Sequence, residues 1–104
     1  MEYTSAQRAF LRSSAQRLSP VVMVGKEGVT AAVAKALCDA ADCHELVKVR
    51  FQAHKDEVKE LSFQLEKASG VDLIVTTGFT AIFFRQAKEA DRRRYDIKRL
   101  SVID

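Results

Sequence analysis

VVMVGKEGVTAAVAKAL, residues 21–37, decides the fold, because it holds a strand, a turn and a helix start in succession. Its apolar opening, Val21-Val22-Met23-Val24, is typical of a short buried strand. The tetrapeptide Gly25-Lys26-Glu27-Gly28 follows. Thr30 is well suited to cap the helix that the alanine-rich run predicts to about Cys43. A strand that passes through a turn into a helix favours a crossover to a parallel neighbour.

The residues ahead of this stretch predict a helix over about 4–17. An apolar stripe that starts at Leu11 and recurs four and seven residues later supplies its buried face. Arg8 and Arg12 lie four residues apart on a different face, which we expect to be solvated. Ser19-Pro20 ends the helix, because proline disfavours the α conformation of the residue before it.

The residues after it, HELVKVRF at 44–51, predict a strand that is buried on one face. From Val47 onward apolar and basic residues alternate along the chain. Successive side chains of a strand point to opposite faces, so Lys48 and Arg50 share one face and the apolar residues share the other. The open face of this strand is therefore expected to be basic.

The last part of the chain adds one helix and two strands. The helix spans about 56–68, with acidic residues at its start and a glycine after its end. The strands, 72–77 and 80–85, are joined by a short turn and are expected to pair antiparallel. The order α-β-α-β-α-β-β predicts a single α/β domain with a four-stranded mixed sheet. We assign residues 1–86 to this domain and 87–104 to a basic C-terminal tail.

The positive charge is concentrated at the two ends of the chain. Of the net charge of +3 over 104 residues, residues 1–28 and 91–104 each carry +2, and the middle is close to neutral. If the fold brings both ends to one side, they form a basic face suited to a polyanion. No apolar run approaches the roughly 20 residues of a membrane span, and the N-terminus lacks the apolar core of a secretory signal. We therefore expect a cytoplasmic protein without a membrane partner.

Metal, cofactor and catalytic sites are not predicted. Cys38 and Cys43 lie five residues apart in a predicted helix, a spacing that does not bring them together for a disulfide. The chain has only 2 histidines, so the roughly four ligands of a zinc site are not evident. Cys43, His44 and Glu45 are neighbours in sequence, but no oxyanion or metal partner is visible for them. We expect no enzyme, no metal and no cofactor.

The GKEG tetrapeptide at 25–28 is the motif with the clearest chemistry. It lacks the further residues of the P-loop and of the dinucleotide-binding fingerprint. A GxxG loop ahead of a helix can hold a phosphate, because glycine lets a backbone approach closely and the first N–H groups of the helix attract oxygen. It can equally be a tight turn without a ligand. The residues alone leave both interpretations open.

Three segments together resemble the CRM domain (chloroplast RNA splicing and ribosome maturation). They are VVMVGKEGVTAAV at 21–33, HELVKVRF at 44–51 and, ahead of both, QRAFLRSSAQRLSP at 7–20. Over about residues 4–85 the chain is similar to the stand-alone bacterial YhbY-like form of this family. The resemblance implies a fold similar to the C-terminal domain of translation initiation factor three. It also implies RNA binding without catalysis, association with precursors of the large ribosomal subunit, and a GxxG loop within the RNA surface.

We therefore predict a monomeric, non-catalytic RNA-binding protein that binds ribosomal RNA and assists assembly of the large ribosomal subunit. The candidate RNA-binding residues are the loop, the start of the second helix and basic side chains elsewhere in the chain: Gly25, Lys26, Glu27, Gly28, Thr30, Lys48, Arg50, Arg8, Arg12, Arg85, Arg92, Arg93 and Arg94. The three tail arginines are included for their charge alone. Tyr95 beside them either stacks on a base or packs against the domain. An RNA splicing or chaperone factor, and a protein-interaction module that binds no RNA, are the alternatives.

Overall fold

Four strands form one mixed sheet in the computed structural model, which describes residues 3–95. The elements in chain order are α1 (Ser5–Ala15), β1 (Val22–Val24), α2 (Ala31–His44), β2 (Leu46–Phe51), α3 (Val58–Ser69), β3 (Asp72–Thr77), β4 (Thr80–Phe84) and a short 3-10 helix (Ala90–Arg92). The predicted α-β-α-β-α-β-β order and the mixed four-stranded sheet are confirmed. Within the described residues, no helix has the length and apolar composition that a membrane span needs.

The strand order is β1-β2-β4-β3, which fixes what lies at each end of the sheet. β1 pairs parallel to β2, with Val22 opposite Val49, and α2 makes the crossover between them. β4 pairs antiparallel to both β2 and β3, so that Arg50 near the end of β2 lies opposite Thr80 at the start of β4. The ends of β1 and β2 and the β3–β4 turn therefore meet at one end of the sheet.

Helices cover both faces of the sheet. α2 and α3 pack on the face to which the apolar side chains of β2 point, among them Val47, Val49 and Phe51. α1 packs on the other face, where Leu11 meets Phe84 and its neighbours in a second, smaller cluster. The face of Lys48 and Arg50 is therefore partly covered by α1, whereas the sequence pattern predicted an open face.

Two helix ends differ from the sequence prediction by two residues each. α1 ends at Ala15, because the N–H of Gln16 turns back to the Ser13 carbonyl at 3.2 Å and tightens the last turn. α3 begins at Val58, because residues 54–57 form a separate turn that is closed by a backbone bond of 2.9 Å. Short turns of this kind use the same residue types as a helix start, so the pattern did not separate them.

The segment after β4 packs against the domain as far as Tyr95. The carboxylate of Glu45 is buried and accepts the backbone N–H groups of Ala87 and Arg94. The Tyr95 ring lies 6.1 Å from Phe84 and 6.3 Å from Phe10 in edge-to-face contacts, so this tyrosine packs against the domain. The N-terminal helix and residue 95 thus share one face of the sheet. Residues 96–104 of the predicted tail lie outside the described residues.

Candidate nucleic-acid interface

The GKEG tetrapeptide forms a closed turn between β1 and α2. The N–H of Gly28 donates to the carbonyl of Gly25 at 3.0 Å, which is the bond of a β-turn. Gly28 has a φ of +70°, a left-handed conformation that favours glycine. Gly25 does not have a positive φ, and a Cβ placed on it would meet nothing within 4 Å. The turn therefore requires glycine at position 28 but not at position 25.

The turn leads directly to the start of α2. Thr30 is the N-cap, and its hydroxyl accepts the N–H of Val33 at 3.1 Å, as the sequence predicted. The first N–H groups of a helix have no partner within it and carry a partial positive charge. Backbone donors therefore follow the GKEG turn within a few residues.

The loop after β2 is bound to the same turn. The N–H of Gln52, at the start of this loop, donates to the carbonyl of Val24 at 2.9 Å. The Nε2 atom of His54 lies 2.7 Å from the carbonyl oxygen of Lys26, and its Nδ1 atom lies 3.3 Å from a carboxylate oxygen of Glu57. The bond to the Lys26 carbonyl, and secondarily the Glu57 carboxylate, raise the pKa of His54 above its usual value.

The β3–β4 turn completes this end of the sheet. The carbonyl of Phe79 accepts the N–H of Phe51 at 2.8 Å. The Phe79 side chain is 49% exposed, and the Lys55 ammonium lies 5.0 Å from the centre of its ring. Hydrogen bonds thus join three loops into one surface, which we call the loop end: residues 25–30, 52–57 and 78–79.

A strip of the sheet beside the loop end is left uncovered by α1. Met23, Arg50 and Thr80 lie opposite one another on neighbouring strands and so share one face. Met23 and Arg50 are exposed. Lys48 stands two residues before Arg50 on the same face, and its Nζ atom lies 3.4 Å from the Leu18 carbonyl. We call these residues, Met23, Lys48, Arg50 and Thr80, the open strip.

Further positive charge lies on the open strip and along α1, which crosses the same face of the sheet toward β3. Residues 3–26 carry four basic side chains and no acidic one. Arg8 and Arg12 are exposed on α1, and Arg8 also donates to the edge of β3 at the Ile74 carbonyl. The loop end itself is mixed in sign. Its charged residues are Lys26, Glu27, His54, Lys55, Asp56 and Glu57.

Four of the predicted arginines lie at the opposite end of the sheet. Arg85 follows β4, which runs antiparallel to β2, and it donates to the carbonyl of Ser69 at 3.1 Å and to Asp42 at 3.3 Å. Arg93 donates to the carbonyl of Ala87 at 2.8 Å. Arg92 and Arg94 flank it, in the segment that Glu45 holds. The structure therefore separates these four arginines from the other predicted residues, of which Arg8 and Arg12 lie on α1.

The group that the fold brings together lies at the loop end and the open strip: Gly25, Lys26, Glu27, Gly28, Thr30, Lys48 and Arg50. Sequence reasoning did not select Met23, His54, Lys55 or Phe79, which belong to the same surface. Phe79 could have been selected from the sequence, because a large aromatic side chain in a short turn between two strands is expected to be exposed. The positions of His54 and Lys55 depend on the contact between His54 and Lys26, which are 28 residues apart, and no local sequence pattern predicts this contact.

Comparison with known proteins gives several relatives of similar length. The chain is 36% identical over 87 residues to the "Probable RNA-binding protein YqeI" of Bacillus subtilis, covering 83% of this chain and 91% of the relative. It is 31% identical over 88 residues to an "RNA-binding protein" of Haemophilus influenzae, covering 84% and 89%. It is 30% identical over 104 residues to the "Probable RNA-binding protein PA4753" of Pseudomonas aeruginosa, covering 99% and 100%.

A solved structure and a family model agree with these relatives. The fold is similar to the solution structure of SAV1595 from Staphylococcus aureus, with a TM-score of 0.75, 30% sequence identity, and coverage of 89% of this chain and 98% of that one. The model of the CRS1 / YhbY (CRM) domain matches residues 4–85, the range over which the sequence resembles that family. The chain therefore belongs to the CRS1 / YhbY (CRM) domain family.

Proposed function

We propose that this protein binds RNA without catalysing a reaction on it, and that the RNA surface is the loop end together with the open strip. The names of three relatives describe RNA binding. The observation that carries the proposal is the position of Gly25. It is a glycine that the turn does not require, placed ahead of a helix N-terminus and beside a strip with two basic side chains.

Each part of this surface has a distinct role in the proposal. The GKEG turn and the first N–H groups of α2 hold a phosphate, because they combine close backbone approach with free donors. Arg50 and Lys26 contact neighbouring phosphates, and Arg8 and Arg12 extend the positive field across the exposed face of α1. Contacts of this kind recognise the shape and backbone of RNA more than its sequence.

The salt dependence of binding tests this surface. We expect Lys26→Gln with Arg50→Gln to weaken binding to large-subunit ribosomal RNA and to reduce the slope of log affinity against log salt by about 1 to 2, because each lost phosphate contact removes a little under one unit. Lys35→Gln with Lys67→Gln is the matched control, since it removes the same charge from exposed positions on α2 and α3. If the two double variants change the affinity and its salt dependence equally, the proposed RNA surface is wrong.

We further propose that the RNA is that of the large ribosomal subunit or its precursor in the cytoplasm, where the protein assists assembly. A sucrose gradient of cell lysate, probed for this protein with and without ribonuclease, tests that role. We expect the protein to sediment near or below the large subunit and to be released by ribonuclease. Sedimentation at the top of the gradient in low salt contradicts stable association. If the protein sediments with the particles and neither salt nor ribonuclease releases it, the result supports a protein-interaction module instead.

A further inference from the structure

Phe79 is an exposed aromatic side chain on a turn of fixed geometry. Its carbonyl is bonded to Phe51 at 2.8 Å, and the hydroxyl of Thr80 donates to the Thr77 carbonyl at 2.8 Å across the same turn. Gly78 supports the turn with a φ of +58°. The ring lies outside both hydrophobic clusters of the described residues and is 49% exposed. Folding of the domain does not explain a rigidly presented phenylalanine at this position.

One cation stands close to this ring, since the Lys55 ammonium lies 5.0 Å from the ring centre. A second basic residue, Arg50, lies opposite Thr80, the residue that follows Phe79. An apolar protein partner that covered the ring would have to remove water from these charges at a cost. A nucleotide fits the same arrangement without that cost, because its base is flat and apolar on both faces and its phosphates are anionic.

We propose that an unpaired nucleobase stacks on Phe79 while its flanking phosphates contact Lys55 and Arg50. This inference rests on the proposed function and names the class of RNA that the loop end takes. A base inside a duplex is covered by neighbours on both faces and has no free face for the ring. The bound RNA therefore contains an unpaired nucleotide close to the backbone segment that the GKEG turn holds. The hydrogen bonds that join the three loops fix the spacing between these two contacts.

Two RNA probes and a pair of phenylalanine variants test the stacking contact. The probes are a stem of large-subunit ribosomal RNA with an unpaired loop, and the same stem as a complete duplex. Phe79→Ala is expected to weaken binding to the looped RNA by about five- to 100-fold and to leave duplex binding unchanged, since stacking on one base contributes that much. Phe63→Ala is the matched control, because Phe63 is 47% exposed on α3 and is not part of the loop end.

Tryptophan fluorescence gives a direct second readout, because the chain contains no tryptophan. Phe79→Trp introduces a single reporter at the proposed contact, and Phe63→Trp introduces one at the control position. We expect the looped RNA to quench the fluorescence of Phe79→Trp and not that of Phe63→Trp. Because both positions are exposed, we expect the variants to fold, and circular dichroism checks this.

The outcomes separate the two proposals. If Phe79→Ala binds the looped RNA as tightly as the unchanged protein, while Lys26→Gln with Arg50→Gln weakens binding, the stacking contact is wrong and RNA binding stands. Equal quenching of both tryptophan variants also overturns the contact. If the unchanged protein binds neither RNA, the proposed function fails and the stacking contact fails with it.

Discussion

The Nε2 atom of His54 lies 2.7 Å from the carbonyl oxygen of Lys26, and this contact ties the loop after β2 to the GKEG turn. A bond to a carbonyl requires a proton on Nε2, and the Glu57 carboxylate at 3.3 Å favours a proton on Nδ1 as well. Both contacts are satisfied only by the imidazolium form. The bond to the Lys26 carbonyl is the main cause of the raised pKa of His54. Protonation of one side chain therefore supports the geometry of the loop end.

This contact predicts a pH dependence of stability. The pKa of His54 is raised above its usual value of 6.5, so its contribution is fully present below that pH and is lost as the pH rises through the raised pKa. We expect the unchanged protein to lose stability relative to His54→Asn as the pH rises above 6.5. Asparagine tolerates the positive φ of 55° at this position but does not titrate there. Urea unfolding of both proteins at several pH values measures the difference, and parallel profiles would contradict the prediction.

Substitution by alanine is expected to have opposite effects on the free energy of unfolding at two serines of α3. The Oγ atom of Ser62 is buried and has no hydrogen-bond partner among residues 3–95. Ser62→Ala should raise the free energy of unfolding by about 0.5 to 1 kcal/mol, because alanine favours the helix and removes an unsatisfied hydroxyl. Ser69 donates to the Leu65 carbonyl at 2.7 Å and accepts the N–H of Val71 at 3.1 Å. Ser69→Ala should lower the same free energy by about 1 kcal/mol, and chemical denaturation compares the two. Losses of equal size would mean that the Ser62 hydroxyl has a partner.

The side chain of Glu45 holds the segment after β4 against the domain. Its two carboxylate oxygens each accept one backbone N–H, from Ala87 and from Arg94. In Glu45→Gln the amide nitrogen cannot accept a hydrogen bond, so one partly buried N–H loses its partner at a cost of about 1 kcal/mol. We expect faster trypsin cleavage at the arginines of this segment and a lower unfolding midpoint. Glu89→Gln is the control, because Glu89 is exposed and pairs only with Arg92 at the protein surface among the described residues, at 3.5 Å. Equal cleavage rates in both variants would rule out the role of Glu45.

The elements of the fold could be predicted because their signals are local. Thr30 caps α2, Gly70 ends α3 with a φ of +74°, and the alternation in β2 separates Val49 from Lys48. Each of these features depends on residues within a few positions of one another. The sequence therefore indicated the order of helices and strands, and it also indicated which residues of β2 face the core.

The composition of the surface could be predicted only in part, because it depends on strand order. Placing β4 beside β2 in the antiparallel direction puts Arg85 at the far end of the sheet from Gly25. Nothing within β4 itself shows which strand it will pair with. The contacts of Lys26 with His54, and of Phe51 with Phe79, likewise join residues 28 positions apart. The sequence prediction included Arg85 at the far end, whereas the structure adds Lys55 and Phe79 to the surface beside Gly25.

Substitution of the two glycines of the GKEG turn is expected to have different effects, on protein stability at one position and on RNA affinity at the other. Gly28→Ala should cost about 1 to 2 kcal/mol of unfolding free energy, because alanine is strained at its φ of +70°. Gly25→Ala should leave that free energy within about 0.5 kcal/mol, since its φ is not positive and its Cβ has open space. If an RNA backbone approaches the turn closely, the added methyl group of Gly25→Ala obstructs it and lowers RNA affinity severalfold. Binding titrations beside unfolding curves measure both effects. Unchanged affinity in Gly25→Ala would mean that RNA does not approach the turn at this glycine.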